Sequence, residues 1–187
     1  MKTISYTQSQ MQARIARFGA LQPLPIQQGD IPQAARDVIY SRKLLSVIGL
    51  EKETPINADA PIRGAAGMTM TLAVCPPGQG PGLHNHVQTY ETFTVLKGRF
   101  EVTWGERGEE RVVLDAFDTI SVPPGVCRAF RNIGDAEGIL QVLITGGVHD
   151  MADIAFTPDA REKIEAVGRG LSKEFEKAGF RFTAGKS

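Results

Sequence analysis

The segment GQGPGLHNHVQTYETFTVLKG, residues 78–98, places two histidines two positions apart and a glutamate five positions after the second. The 187-residue chain contains three histidines, and His84 and His86 are two of them. Side chains alternate along an extended strand, so both imidazoles are expected to point to the same face. Glu91 has the opposite parity, and a turn or bulge within residues 87–90 would bring it to that face. Two imidazoles and one carboxylate form the facial ligand set that suits Fe(II) and similar ions.

The sequence around this segment has the character of short strands joined by tight turns. Glycine and proline cluster between residues 76 and 147, and the segment RFEVTW, residues 99–104, alternates apolar and polar side chains. About eight short apolar runs follow one another at roughly ten-residue spacing, which is typical of all-β barrels and sandwiches.

Both ends of the chain are predicted to form extensions of this β region. Residues 1–61 contain two short helical patterns, at 8–18 and 32–40, and an apolar run at 44–50 that favours a strand. After Pro158 the apolar side chains recur every three or four positions, which predicts one amphipathic helix along Ile164, Val167, Leu171 and Phe175. The predicted organisation is therefore an N-terminal extension at 1–61, a β-barrel at 62–147 and a C-terminal helical extension at 148–187.

The composition argues against several classes of partner. Lysine plus arginine and aspartate plus glutamate both total 21, so the formal net charge is zero and no basic field for nucleic acid or membrane is indicated. Two cysteines, Cys75 and Cys127, are too few for a disulfide scaffold and indicate a reducing cytoplasm. No secretory pattern and no apolar run of membrane-spanning length is visible. We expect a cytoplasmic protein that binds a small molecule.

The spacing of the His-x-His segment resembles the first motif of the cupin superfamily. That motif is a glycine, five residues, His-x-His, three or four residues, a glutamate, six residues and a glycine, and its places are taken by Gly78, His84, His86, Glu91 and Gly98. The resemblance covers roughly residues 62–147. It implies a small single-domain cupin: an all-β, antiparallel β-barrel (double-stranded β-helix or jelly roll) with short N-terminal helices and a C-terminal helix outside it. It also implies metal ligation by His84, His86 and Glu91, and a homodimer to which the strand at 44–50 would contribute.

The second cupin motif is matched with two departures. Pro123-Pro124-Gly125 and Asn132 stand in their places, whereas Phe117 replaces the leading glycine, and the local turn geometry is expected to differ. Arg128 stands where the family has its fourth ligand, a histidine. A guanidinium is always protonated and offers no lone pair to a metal.

Two interpretations of Arg128 follow. In the first, His84, His86 and Glu91 hold a metal, and Arg128 anchors an anionic group of the substrate by bidentate hydrogen bonds. In the second, Arg128 pairs with Glu91 and the site is metal-free. Retention of three ligands at motif spacing favours the first interpretation, and repulsion between a guanidinium and a divalent ion favours the second.

The leading functional hypothesis is a metal-dependent oxidoreductase of dioxygenase type that acts on a small organic substrate, with Fe(II) favoured over Mn, Ni or Zn. The alternative is a non-catalytic cupin that binds a small molecule. A metal-free isomerase is disfavoured because the His-x-His spacing suits ligands. Tyr90, beside Glu91, is a candidate proton donor, although such a residue more often packs at a strand end. His149, just past the last strand, is expected to be an ordinary surface or loop histidine.

Overall fold

The computed structural model describes residues 4–64 and 67–185. Its helices are α1 (Gln8–Gln12), α2 (Gln33–Ile39), α3 (Pro158–Val167) and α4 (Leu171–Lys177). Its strands are β1 (Lys43–Gly49), β2 (Ile62–Arg63), β3 (Met68–Cys75), β4 (His84–His86), β5 (Tyr90–Lys97), β6 (Phe100–Trp104), β7 (Glu110–Leu114), β8 (Thr119–Val122), β9 (Arg128–Asn132), β10 (Gly138–Thr145) and β11 (Ile154–Phe156). Short 3-10 turns lie at Phe18–Ala20 and Pro25–Gln27. No helix of the described ranges is both long and apolar enough to cross a membrane.

The strands form two sheets that enclose one apolar core. The six-stranded sheet has the order β2-β1-β3-β10-β5-β8, and the five-stranded sheet has the order β11-β4-β9-β6-β7. The core between them takes Phe93 and Leu140 from the first sheet and Phe100 and Phe130 from the second. Burial alternates residue by residue along β10, as a strand with one face on a core requires. The predicted all-β fold of the jelly-roll type with short N-terminal helices is confirmed, and within the described residues its two facing sheets do not close into one barrel.

Both extensions contribute strands to these sheets. The apolar run predicted as a strand at 44–50 is β1, which lies between β2 and β3 of its own chain. Strand β11, from the C-terminal extension, pairs with β4 at the other sheet's edge. A second apolar cluster joins α2 to the C-terminal helices through Ile39, Phe156, Ile164, Phe175 and Phe180. Among the described residues, strand β2 pairs with β1 only at Ile48 and Gly49, and the predicted homodimer stays a prediction.

The C-terminal extension contains two helices where one was predicted. Helix α3 ends at Val167, and Gly170 adopts a left-handed φ of 88° that an uninterrupted helix does not allow. The carboxylate of Glu165 accepts hydrogen bonds from the backbone N–H groups of Gly170 and Ser172, which fixes the start of α4. Val167, the last residue of α3, is exposed although Ile164 is buried.

The first helix is also shorter than predicted. Helix α1 ends at Gln12 and buries none of its residues, and Met11, Ile15 and Phe18 are exposed. A short helix gains most of its stability from packing an apolar face, and this one packs none.

Candidate metal centre

Strand β4 and the bend that follows it bring three potential ligands together. His84 and His86 are buried on β4, the chain bends at residues 87–89, and β5 begins at Tyr90. This break restores the parity of Glu91, whose Oε2 lies 3.5 Å from His84 Nε2 and 3.7 Å from His86 Nε2. One ligand atom from each residue lies within 4.8 Å of the others. Donors at about 2.1 Å from a shared ion are roughly 3.0 to 3.4 Å apart, so the two separations between histidine and glutamate need only a few tenths of an ångström of contraction.

Hydrogen bonds at the far side of each imidazole fix its orientation. His84 Nδ1 lies 2.8 Å from the carbonyl oxygen of Gly82, which can only accept, so Nδ1 carries the proton. His86 Nδ1 lies 3.0 Å from Asp153 Oδ2 and 3.1 Å from Thr89 Oγ1. An N–H donated to a carbonyl or carboxylate is the usual support of a metal-binding histidine, because it leaves the lone pair on Nε2. Both Nε2 atoms therefore present lone pairs on the side of Glu91.

Asp153 orients His86 by a hydrogen bond that the sequence did not predict. Its side chain is buried and accepts hydrogen bonds from the Thr89 hydroxyl and, at 2.7 Å, from the backbone N–H of Gln88. Burial raises the pKa of this carboxyl, but the bonds from His86, Thr89 and Gln88 outweigh it and lower the pKa to about 2. Asp153 reaches the site because β11 pairs with β4, 67 positions earlier in the chain. No local spacing could have indicated that contact.

Arg128 lies beside these ligands and pairs with one of them. It is opposite His84 in the pairing of β4 with β9 and is fully buried. Its Nε donates to Glu91 Oε2 at 2.8 Å and its Nη1 to the carbonyl of Val126 at 2.9 Å, while Nη2 has no partner among the described residues. Burial raises the pKa of Glu91, but the neighbouring His86 and Arg128 outweigh burial and hold the pKa below its usual range, so this carboxylate is ionised.

The ion pair between Arg128 and Glu91 is the contact expected from the second interpretation of Arg128. The same geometry is also compatible with a bound metal. The carboxylate oxygens of Glu91 offer about four lone-pair sites, so the bond from Arg128 leaves room for an ion. With the two imidazoles neutral, Glu91, Asp153 and Arg128 sum to one negative charge. A divalent ion would change the total to one positive charge, and an anionic ligand would then make the site neutral.

A cavity of about 90 Å³ adjoins the three ligands. Its wall is mostly apolar, and more than half of its residues come from outside 62–147, among them Leu24, Tyr40 and Phe156. Phe156 also stacks on the ring of His84, with centroids 5.1 Å apart. The extensions thus complete the enclosure around the ligands.

Four of the other residues singled out in the sequence do not line this cavity. Arg128 is not part of the cavity wall, so the predicted contact with a substrate is not formed in this conformation. Tyr90 is 50% exposed and likewise outside the wall, because its parity turns it away from Glu91. Cys127 is buried in a small cluster apart from the site, as expected for a residue that faces away from Arg128. Phe117 occupies a turn with a left-handed φ of 74°, a backbone conformation that favours glycine, and the altered turn geometry expected there stays a prediction.

His149 corrects the expectation of an ordinary surface or loop histidine. It lies in a loop, but it is only 8% exposed and lines the cavity. Its Nδ1 lies 2.8 Å from Thr69 Oγ1, and its carbonyl accepts a hydrogen bond from the Thr54 hydroxyl at 2.7 Å. Burial, followed by the charge of His86, lowers its pKa to about 4. Its partners stand 80 and 95 positions earlier, which is why the sequence gave no signal for them.

Comparisons with known proteins found similarity in the region of the central strands. Residues 71–144 match the family model described as the cupin domain. A solved structure from Bacillus halodurans is 22% identical with a TM-score of 0.44, covering 47% of this chain and 69% of that one. A double-stranded β-helix protein from Klebsiella pneumoniae is 24% identical with a TM-score of 0.43, covering 49% and 75%.

A predicted oxalate decarboxylase from Thermotoga maritima is 22% identical with a TM-score of 0.38, covering 41% of this chain and 64% of that one. A search of curated proteins gave no match. At these identities, likeness to the solved structures concerns the fold alone.

Proposed function

Because this chain belongs to the cupin superfamily through its domain at residues 71–144, we propose that it is a metal-dependent oxidoreductase of dioxygenase type acting on a small organic anion. One observation carries the proposal: the Nε2 atoms of His84 and His86 converge on Glu91 Oε2 while both Nδ1 atoms are held by acceptors. A buried, oriented and deprotonated donor set of this kind suits Fe(II), with Mn, Ni or Zn as alternatives.

The ion, when bound, would polarise a substrate oxygen as a Lewis acid and, as Fe(II), would support oxygen chemistry. The protein's own residues do the rest. His84, His86 and Glu91 hold the ion at one end of the cavity, and three protein ligands leave positions open for substrate. The apolar wall excludes water from the reacting groups. The net positive charge of the loaded site favours an anionic substrate over a neutral one of the same size.

Arg128 acts in this proposal as a positioning residue for Glu91. Its Nε–H bond fixes the carboxylate beside the histidines, and its charge keeps Glu91 ionised before an ion arrives. The unpartnered Nη2–H remains free to contact an anionic group that approaches Glu91 after a small side-chain movement. The anchoring of substrate predicted for Arg128 would use this N–H group.

A second candidate function is a non-catalytic, metal-free cupin that binds a small molecule. The observation that favours it is the ion pair between Arg128 and Glu91 at 2.8 Å. In this function the guanidinium supplies the positive charge that an ion would otherwise supply to the buried carboxylate.

Metal uptake separates the two functions. Apo protein prepared with a chelator is titrated anaerobically with Fe(II), and in parallel with Mn(II), Ni(II) and Zn(II), and bound metal is counted by elemental analysis. We expect one ion per chain for wild type and for the control Tyr90→Phe, which lies outside the cavity, and at least 100-fold weaker binding for His86→Ala. A folded wild type that takes up no ion would remove the metal-dependent enzyme and leave the second function.

Oxygen consumption then tests the reaction type. Fe(II)-loaded wild type is supplied with a panel of short-chain organic anions in an oxygen-electrode cell, with His86→Ala as the background. Uptake of metal without oxygen consumption for any member would remove the dioxygenase type and keep the metal site.

We also propose a homodimer in a reducing cytoplasm. Both cysteines, Cys75 and Cys127, are buried and unpaired, which suits a reducing compartment. The N-terminal segment exposes Tyr6, Met11 and Phe18, an apolar surface of the kind that contacts between subunits cover. Light scattering after gel filtration tests the dimer, and a monomeric mass at micromolar concentration would contradict it.

A further inference from the structure

The cavity wall contains a third histidine, His149, which is not one of the candidate metal ligands. His149 lines the same wall as His84, His86 and Glu91, yet it stands outside the group whose donor atoms lie within 4.8 Å of one another. It is therefore a neighbour of the metal centre across the cavity, and not a fourth ligand.

His149 is held from several directions. Thr69 Oγ1 bonds its ring at Nδ1, and the hydroxyl of Thr54 and the amide of Asn57 both donate to its carbonyl oxygen. The preceding turn is tied down as well, since the backbone N–H groups of residues 146 and 147 both donate to the carbonyl of Gly67. These contacts fix the ring in a mostly apolar wall.

The second ring nitrogen of His149 has no such contact. Nε2 forms no hydrogen bond with the described residues, whereas Nδ1 does. A ring nitrogen that lines the cavity without a protein partner can form a hydrogen bond with a ligand or a water molecule there. A neutral imidazole can accept or donate one hydrogen bond there, and burial keeps this imidazole neutral at pH 7. A ligand in the cavity would satisfy Nε2.

The size of the cavity limits that ligand. The volume of the cavity is about 90 Å³. It is smaller than the cavity of about 150 Å³ known to take up benzene in another protein. The ligand is thus a small molecule with a short apolar body between two polar ends.

We propose that His149 is a substrate-contacting residue: its Nε2 forms a hydrogen bond with a hydroxyl or carbonyl group of a short-chain organic anion whose carboxylate lies at His84, His86 and Glu91. This inference rests on the proposed function, because the metal group places the carboxylate. The cavity wall contributed by the extensions sets the upper limit on chain length.

Lactate and propionate form the pair of ligands that tests it, since they differ by the hydroxyl group that would contact His149. Binding to Zn(II)-loaded protein is measured by calorimetry for wild type, His149→Phe and Thr69→Val. We expect wild type to prefer lactate about tenfold and His149→Phe to lose this preference without loss of zinc. Thr69→Val, which frees the ring at Nδ1, is expected to lose part of it. In wild type, 2-hydroxyhexanoate should bind at least 100-fold more weakly than lactate.

Nitrogen-15 NMR spectra of the imidazoles in wild type give a second test, which does not depend on whether His149→Phe folds. The chain has three histidines, so the Nε2 resonance of each can be followed in zinc-loaded wild type. Addition of lactate, and not of propionate, should shift the Nε2 resonance of His149. An unmoved resonance, an unchanged lactate preference in His149→Phe, or binding of neither acid would overturn the proposal.

Failure of the proposed function can be told apart from failure of this inference. If wild type takes up no ion, the metal-dependent enzyme is refuted, and the apo protein is titrated with the same two acids. A lactate preference that His149→Phe abolishes would still support the contact. Equal binding of the two acids, or none, would overturn it.

Discussion

Replacing Arg128 by methionine tests how the buried arginine and a metal share Glu91. The guanidinium is fully buried and donates to Glu91 Oε2 at 2.8 Å, and methionine keeps much of its length without its charge. In the metal-free protein the substitution leaves Glu91 buried with no cation, and breaking such a pair costs about 3–5 kcal/mol. Metal-free Arg128→Met should therefore unfold at a clearly lower urea concentration than wild type.

The metal-bound protein should respond in the opposite direction. A divalent ion and a guanidinium about 5 Å apart repel each other by about 7 kcal/mol at an effective dielectric constant of about 20. The hydrogen bond that positions Glu91 is worth about 1.5–3 kcal/mol, so the loss of repulsion outweighs the loss of positioning. We expect the affinity for Zn(II) to rise at least 100-fold.

Competition with a chromophoric chelator at pH 7 measures this affinity, and urea unfolding with and without Zn(II) measures stability. Arg131→Met is the matched control, because Arg131 is exposed on the same strand. It should change neither quantity appreciably. A folded Arg128→Met protein with unchanged or weaker Zn(II) affinity would refute the competition between arginine and metal.

Three further predictions concern the supports of the site and one strained turn. Asp153→Asn should lower Zn(II) affinity by about 10–100-fold in the chelator assay, because the carboxylate orients His86; an unchanged affinity would contradict this. Phe117 has a φ of 74° and is exposed, so Phe117→Gly should be more stable to urea than Phe117→Ala by about 1 kcal/mol, and equal stabilities would remove backbone strain as the reason. Because burial lowers the pKa of His149 to about 4, the unfolded chain binds a proton below about pH 6.5 that the folded chain does not. The free energy of unfolding of wild type should fall as the pH falls from about 6.5 to about 4. That of His149→Phe should fall by less, the difference being up to about 3 kcal/mol. Parallel pH profiles of the two proteins in urea unfolding would contradict this prediction.

The part of the site that could be predicted is the part encoded locally. His84, His86 and Glu91 lie within one short segment, and strand parity alone required the bend that the structure has at residues 87–89. The position of Arg128 followed from motif spacing, but its partner did not, because both Glu91 and a substrate were chemically suitable. The contact with Glu91 is decided by the packing of β9 against β4.

The remainder depends on contacts between distant segments. Asp153 and His149 enter the site from the C-terminal extension, and their partners lie 64 or more positions earlier. Among the helices, periodicity identified the apolar residues Ile164 and Phe175 correctly, but it could not show that Gly170 would divide them between two helices. That division depends on the capping of α4 by Glu165.

The pairing of β11 with β4 has a consequence for how the protein is made. Residues from β4 to β10 leave the ribosome before β11 does. His84 and His86 are therefore synthesised well before Asp153 and Phe156, which orient their rings. Until then the imidazole of His86 lacks its carboxylate partner, and β4 has only β9 beside it. Metal loading is therefore expected to follow the pairing of β11 with β4, when Asp153 can orient His86.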